Sequence, residues 1–267
     1  MSGHENVFRL GAVPDLYCRP VIYGIENPEG PALAGLSFET AGVNTERLLQ
    51  DELDAGLIGP IDFARNSSDF GLYPSIGVAS RYESRTAVLC LHQNLRKITS
   101  IAVGVVSSSD IILAKIILSE KFEQDVTIVP VIGSVEQMLS KADAALLAGN
   151  AALSSPWNGP KLDLIDEWTD MTELPFVHLM CAARKDKQKK EIASLLLSSQ
   201  KQGTASLSLI ASQHARTFTF PAEVLEGQLE RYEYGFGDEA RQGIGEFFRY
   251  AFYLGILPDV PEIEVFD

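Results

Sequence analysis

Residues 101–118, IAVGVVSSSDIILAKIIL, join a predicted buried strand directly to a predicted helix. The first six residues are rich in β-branched side chains and carry no charge, as in a strand covered on both faces. Residues 107–110 then supply hydroxyl and carboxylate side chains that cap helices, and residues 111–118 predict the helix itself. A strand followed at once by a helix is the repeating unit of a parallel α/β sheet.

The same alternation continues toward the carboxyl terminus. Residues 126–132 predict a strand, residues 134–140 a helix, and residues 144–148 another strand. Because these patterns follow one another without long breaks, a βαβαβ unit is expected over roughly residues 90–180.

A second alternation precedes the first along the chain. Residues 8–13 predict a short strand, residues 45–53 an amphipathic helix capped by Asn44 or Thr45, and residues 55–60 the next strand. Helical patterns dominate the end of the chain, at residues 187–202, 207–217 and 239–254. The whole pattern predicts an α/β fold.

Two such units in a chain of 267 residues predict two lobes. The first lobe is expected to comprise residues 1–88 and 182–267, with the carboxyl-terminal helices, and the second residues 89–181 as an insertion. Ligands of open α/β folds bind where strand carboxyl ends meet helix amino ends. A cleft between the lobes is therefore the expected ligand site.

Composition and charge exclude several classes of protein. The chain is 46% hydrophobic and 22% charged, as in an ordinary globular protein. The 22 basic residues face 36 acidic ones, and the net charge of −14 repels nucleic-acid phosphates. The single basic run, residues 184–190, indicates a solvated helix start, so no nucleic-acid partner is expected. No apolar stretch is long enough to span a membrane, so no membrane partner is expected.

Cysteine and histidine usage bears on compartment and metal content. Cys18, Cys90 and Cys181 are an odd number at wide spacing, which does not fit a disulfide framework. The amino-terminal segment lacks the apolar core of a secretory signal, so a cytoplasmic location is expected. The four histidines lack the spacing of metal ligands, and no dinucleotide or phosphate-loop motif follows a strand. No metal or other cofactor is expected.

Four segments, in order, resemble the motifs of one known family. Residues 11–24, GAVPDLYCRPVIYG, are similar to GxVxYLNxxPLxxGL, and residues 47–64 are similar to LxxGExDxALxPxxxYA. Residues 142–153, ADAALLAGNAAL, are similar to ADAALLIGDAAL. Residues 163–168 with 174–177 resemble DLGEEWxxxTGLPFVFA. By these four blocks the sequence is identified as a member of the menaquinone-biosynthesis family that contains chorismate dehydratase (MqnA) and its sister enzyme MqnD.

The resemblance implies a two-lobe, type II periplasmic-binding-protein-like fold that works as a cytoplasmic enzyme of the futalosine pathway. For the chorismate dehydratase branch it implies a lyase that converts chorismate to 3-[(1-carboxyvinyl)oxy]benzoate, without a metal or organic cofactor. The alternative is a non-catalytic cytoplasmic binding protein that kept the cleft for a small carboxylated metabolite.

The sequence departs from the family pattern at positions that the resemblance assigns to chemistry. Tyr17 stands where the family has Asn, and Thr86 where it has Ser. Asn150 replaces an Asp, and Asp110 replaces a hydroxyl residue in a carboxylate-binding segment. Tyr17 and Thr86 are the candidate catalytic residues; Tyr17 either donates to a substrate oxygen or fills part of the site. Asp110 beside a dianionic ligand would repel it or take up a proton.

The remaining candidates would bind the two carboxylates of a chorismate-like ligand. Arginine offers a carboxylate two parallel donors, although a surface ion pair is the alternative for each arginine. The serines at the start of the 111–118 helix either cap it or bind an anion with free N–H groups. The candidate substrate-binding residues are Asp15, Arg81, Arg85, Ser107, Ser108, Ser109, Asp110 and Asn150. Asp15 also fits an ordinary turn, and His178 fits the core or a hinge.

Overall fold

The computed structural model describes residues 7–28, 32–93 and 95–266, which form two compact units. The first unit consists of Met1–Ala79, Val177–Arg241 and Pro261–Asp267. The second unit consists of Ser80–Phe176 and Gln242–Val260.

Strands and helices alternate through most of the chain. The strands are β1 (Phe8–Ala12), β2 (Ala34–Phe38), β3 (Ala55–Ile58), β4 (Phe70–Ser80), β5 (Ala87–Leu91), β6 (Ser100–Val103), β7 (Thr127–Pro130), β8 (Ala144–Ala148), β9 (Lys161–Asp163), β10 (Phe176–Arg184) and β11 (Tyr232–Tyr234). The helices are α1 (Arg19–Glu26), α2 (Ala41–Leu49), α3 (Pro60–Arg65), α4 (Ser108–Glu120), α5 (Val135–Leu139), α6 (Gly149–Leu153), α7 (Leu164–Thr172), α8 (Lys190–Thr204), α9 (Leu207–Phe218), α10 (Ala222–Leu229) and α11 (Asp238–Tyr253). Leu16–Cys18 and Lys185–Lys187 are short 3-10 helices.

Each unit contains a sheet with parallel pairs, as the alternation predicts. Among the described residues, the first sheet has six strands in the order β11-β4-β10-β3-β1-β2. Strand β1 pairs in parallel with β2 and β3, whereas β10 is antiparallel to β3. The five described strands of the second sheet have the order β7-β6-β8-β5-β9. Strand β6 is parallel to β7 and β8, and β5 is antiparallel to β8 and β9.

Helix α2 begins before the predicted start, and its cap differs from the predicted one. Thr40 caps it, its hydroxyl accepting from Val43 N at 3.3 Å. The prediction of a cap at Asn44 or Thr45 is wrong because Asn44 is fully buried inside the helix. Its amide nitrogen donates to the carbonyl oxygens of Ala12 and Leu57, each at 3.1 Å.

Asn44 thereby ties α2 to β1 and to β3 at once. The close approach needs a glycine in β1, since a Cβ at Gly11 would lie 2.6 Å from Oδ1 of Asn44. The amide satisfies two buried carbonyls that would otherwise lose their hydration without replacement.

The two units are divided differently from the predicted lobes. The boundaries fall at 79/80 and 176/177 rather than at 88/89 and 181/182, and residues 242–260 belong to the second unit. Aromatic packing within the second unit accounts for the place of residues 242–260. The ring of Trp168, which is fully buried, lies 6.1 Å from Phe176 and 6.0 Å from Phe247, centroid to centroid. These edge-to-face contacts hold most of α11 in the second unit.

Replacing Asn44 with Ala should lower the free energy of unfolding by about 2–3 kcal/mol, because two buried carbonyl groups lose their donor. Urea denaturation of the purified chain measures the change. The control is Glu46→Ala on the exposed side of the same helix, which should stay within about 0.5 kcal/mol of the wild type. Equal effects of the two substitutions would contradict the role given to Asn44.

Candidate functional site

In the first unit, the chain leaves β1 through a short loop that presents Tyr17. Asp15 precedes the 3-10 helix Leu16–Cys18, and its carbonyl oxygen accepts from Cys18 N at 3.0 Å. Leu16 and Cys18 are buried, whereas Asp15 and Tyr17 are half-buried. The tight turn therefore anchors two residues in the core and leaves the Tyr17 ring partly accessible.

The Tyr17 ring belongs to a cluster of three, called the aromatic triangle below. The centroid of Tyr17 lies 5.5 Å from that of His178 on β10 and 5.5 Å from that of Tyr232 on β11. The third side, between His178 and Tyr232, measures 5.9 Å. These separations are those of favourable aromatic pairs.

The aromatic triangle is uncharged at neutral pH. Burial lowers the pKa of His178 to about 3, so its imidazole is neutral and has one donor and one acceptor nitrogen. The hydroxyl of Tyr232 accepts from Nε2 of Gln228 at 3.2 Å. The triangle therefore combines ring faces with neutral polar atoms, and its half-buried members are Tyr17 and Tyr232.

Tyr232 and Gln228 are absent from the sequence-based candidates. They lie on β11 and at the end of α10, two elements that were not predicted because a three-residue strand and an eight-residue helix leave weak patterns. The alternation of Tyr232 and Tyr234 around Glu233 is the one local signal that indicates a strand here. His178, which fits a core or hinge position by sequence, is buried and also lines the triangle.

In the second unit, one edge of the sheet gathers three of the predicted segments. The carboxyl ends of the parallel strands β6 and β8 lie at this edge, and the antiparallel strand β5 begins there. Thr86 precedes β5, Asn150 follows β8, and Ser107 follows β6. Thr86 and Asn150 come together because the carbonyl of Thr86 accepts from Gly149 N at 2.7 Å. The buried hydroxyl of Thr86 donates to the Ser84 carbonyl at 3.3 Å.

The segment 107–110 forms a capping box at the start of α4. The Ser107 hydroxyl accepts from Asp110 N at 3.1 Å and donates to the Asp110 carboxylate at 2.7 Å. The carboxylate also accepts from Ser107 N at 3.3 Å. Of the two alternatives for this segment, the structure supplies the cap. Anion binding here stays a prediction; Ser108 is half-buried and Ser109 is buried.

The two candidate arginines are held within the second unit. Nη1 of Arg81 donates to the carbonyl of Glu173 at 3.0 Å. Arg85 forms an ion pair with Glu83 at 3.1 Å, and both side chains are 55% exposed. This exposed pair is the surface alternative for Arg85. It uses only Nε, so the terminal nitrogens Nη1 and Nη2 can still offer a carboxylate two donors.

Two buried cysteines are unreactive at neutral pH. Burial raises the pKa of the Cys18 thiol to about 12 and that of Cys90 to about 11, so neither is a thiolate nucleophile at neutral pH. The residues that the structure describes include no group of three or more His, Cys, Asp or Glu suited to a metal ion. Within the same residues, no helix has the length and apolar character needed to cross a membrane.

A sequence model of a menaquinone-biosynthesis family matches residues 8–253 of the chain. The match covers both units and far more than half of the sequence. The chain belongs to this family.

Several solved structures share the fold of the chain. Protein AF1704 from Archaeoglobus fulgidus superposes with a TM-score of 0.71 at 15% identity, over 95% of this chain and 100% of that one. The periplasmic aliphatic sulphonate binding protein SsuA from Escherichia coli gives 0.68 at 15% identity, over 98% of this chain and 92% of its own. A Candida albicans gene product with the generic periplasmic binding protein fold gives 0.65 at 12% identity, over 95% and 91%.

These likenesses confirm the predicted mixed α/β, periplasmic-binding-protein-like fold. At such low identity they concern the fold alone. The family membership, in contrast, carries over to the biosynthetic context, menaquinone formation.

One carboxylate beside the candidate residues should make stability depend on pH. Asp163 caps α7, accepting from Ile165 N at 2.9 Å and Asp166 N at 3.2 Å, and also accepts from Arg85 N at 2.7 Å. Burial raises the pKa of Asp163 from 3.8 to about 6, against the lowering effect of these N–H donors. Its protonation therefore stabilises the folded state fully below pH 3.8, and this contribution is lost as the pH rises through 6.

We expect Asp163→Asn to remove this dependence. The free energy of unfolding of the wild type, relative to Asp163→Asn, should fall between about pH 4 and pH 6 and then level off. Urea denaturation across this range measures it, and Asp125→Asn, at an exposed position of the same unit, is the matched control. Parallel curves for the wild type and Asp163→Asn would refute the assignment.

Proposed function

We propose that the chain is a cytoplasmic lyase of menaquinone biosynthesis that removes water from chorismate to form 3-[(1-carboxyvinyl)oxy]benzoate. The observation that carries this proposal is the family match over residues 8–253. The motif resemblance over roughly residues 8–183 supports the chorismate dehydratase branch in particular. The wide spacing of the three cysteines is typical of proteins without disulfides and supports a cytoplasmic location.

The reaction makes modest demands on the protein. A C–H bond of the ring breaks, its electron pair forms the new double bond, and the ring hydroxyl leaves with a proton as water. The ring becomes aromatic without an oxidant. A base for the carbon-bound proton and a donor to the leaving oxygen are sufficient, and the substrate's own carboxylate can act as the base. The role of the substrate carboxylate as the base is implied by the family resemblance and does not rest on any particular side chain.

The aromatic triangle supports a role for Tyr17 in this scheme. A half-buried phenol can donate a hydrogen bond to an oxygen, and the neighbouring rings of His178 and Tyr232 suit a flat, six-membered ligand. Because His178 is neutral, its imidazole has one N–H that can donate a hydrogen bond and one nitrogen that can accept one. Thr86 as the second catalytic residue stays a prediction from the resemblance.

A second candidate function is binding without catalysis. The observation that favours it is Tyr17 itself, a bulky aromatic residue at a position where the resemblance implies Asn. Its ring packs against two others and occupies space that an amide would leave open. In this case the ligand would be a small carboxylated metabolite that is released unchanged.

Incubating the purified chain with chorismate should yield a product lighter by one water, detected by mass spectrometry and by its aromatic absorbance. Tyr17→Phe keeps the ring contacts and removes only the hydroxyl, so kcat/KM should fall about ten-fold or more. Tyr253→Phe is the matched control because Tyr253 is 72% exposed, and its kcat/KM should be unchanged.

The outcomes separate the two functions. Product formation with a loss in Tyr17→Phe supports the lyase and the role of Tyr17. Saturable thermal stabilisation by chorismate without product would favour the binding protein. If neither product nor stabilisation is seen, the lyase proposal is wrong and chorismate is not the ligand of a binding protein. Higher turnover in Tyr17→Asn would mean that the ring merely narrows the site. Lower turnover in Thr86→Val would support a catalytic role for Thr86.

A further inference from the structure

The second unit has a groove at the edge of its sheet opposite to Thr86, where β5 ends and β6 begins. This feature, called the Phe122 groove below, has a volume of about 180 Å³. Its walls include the apolar side chains Leu91, Leu95, Ile98, Leu118, Phe122 and Leu162. Leu118 lies near the carboxyl end of α4, whereas Ser107 caps the other end, so the groove is separate from the predicted site residues.

The base and one part of the mouth of the groove are apolar. Ile98 is 8% exposed and Leu118 is 1% exposed, so they form a dry base. Phe122 is 38% exposed and lies at the mouth, so its ring extends the apolar surface of the groove to solvent. An apolar ligand body laid against these side chains would remove their surface from water.

The polar side chains that line the groove are two basic residues and one amide. Arg96 and Lys97 are exposed, and neither forms a hydrogen bond or ion pair with another described residue. Gln124 Oε1 accepts from Ile98 N at 2.8 Å, which leaves the Gln124 amide NH₂ as a donor. No carboxylate is among the lining residues. In a chain of net charge −14, two unpaired cations side by side are a local exception that favours an anion.

Size and charge together define one class of ligand. An engineered apolar cavity of about 150 Å³ accommodates benzene, so the groove has room for one ring or a short acyl chain. We propose that the Phe122 groove binds a small monocarboxylate whose apolar body has about six to eight carbons. The carboxylate lies between Arg96 and Lys97, and the body covers Phe122. This site is independent of the proposed lyase reaction.

Titration of the isotope-labelled full-length chain, followed by amide NMR, tests the proposal without any turnover measurement. Benzoate and octanoate are the two probes, since the shared chemistry can come from an aromatic or an aliphatic acid. We expect saturable shifts at residues 95–98 and 122–124. Benzamide, which has the same shape as benzoate without its charge, should bind at least about ten-fold more weakly.

Variants then test whether Arg96 and Lys97 bind the carboxylate. Arg96→Gln combined with Lys97→Gln should weaken binding about ten-fold or more, whereas Lys141→Gln, an exposed lysine elsewhere in the same unit, should leave it unchanged. Binding of only one of the two acids supports the site and identifies the ligand type. The proposal is overturned if neither acid binds or if shifts spread over other basic residues. It is likewise overturned if benzamide binds as tightly as benzoate, a comparison that needs only the wild-type chain.

Discussion

Parallel strand pairing decides where the polar side chains of each unit collect. In the second unit, β6 pairs in parallel with β8, and their carboxyl ends share an edge with the start of the antiparallel strand β5. Thr86, Ser107 and Asn150 meet at this edge for that reason, although 64 positions separate the first from the last (150 − 86). In the first unit, β1 and β3 are also parallel, and the Asn44 amide links both strands to α2 through the carbonyls of Ala12 and Leu57. The loop that carries Tyr17 leaves β1 just beyond Ala12.

Local patterns are the part of the fold that the sequence predicts well. The strand, cap and helix around Ser107 are recoverable because β-branched residues, a hydroxyl and an apolar face each act within a few residues. The start of α2 is not recoverable in this way. An amphipathic face predicts the helix, but the role of Asn44 depends on Ala12, 32 residues away, so Thr40 is overlooked as the cap. The place of α11 in the second unit depends on Trp168 and Phe247 in the same manner.

Some residues of the candidate site can likewise be found from local motifs, and others only from the structure. Tyr17, Thr86 and Asn150 are found by motif, whereas Tyr232 reaches Tyr17 only through the folding of a three-residue strand far along the chain. The neutrality of His178 likewise follows from burial, which no spacing rule contains. For Asp110, the motif identifies the position but not the role of the side chain. By motif it is an acid where a hydroxyl is expected beside an anion, and in the structure its carboxylate closes the capping box with Ser107.

Tyr17 is identified both by the motif and by its observed ring contacts, so its role in ligand binding is the central claim. A crystal structure of the chain with bound chorismate, or with the dehydrated aromatic product, tests this most directly. We expect the six-membered ring of the ligand to contact Tyr17 and at least one of His178 and Tyr232, within the contact distances of aromatic pairs. A ligand bound at full occupancy without touching any of these three side chains would contradict it.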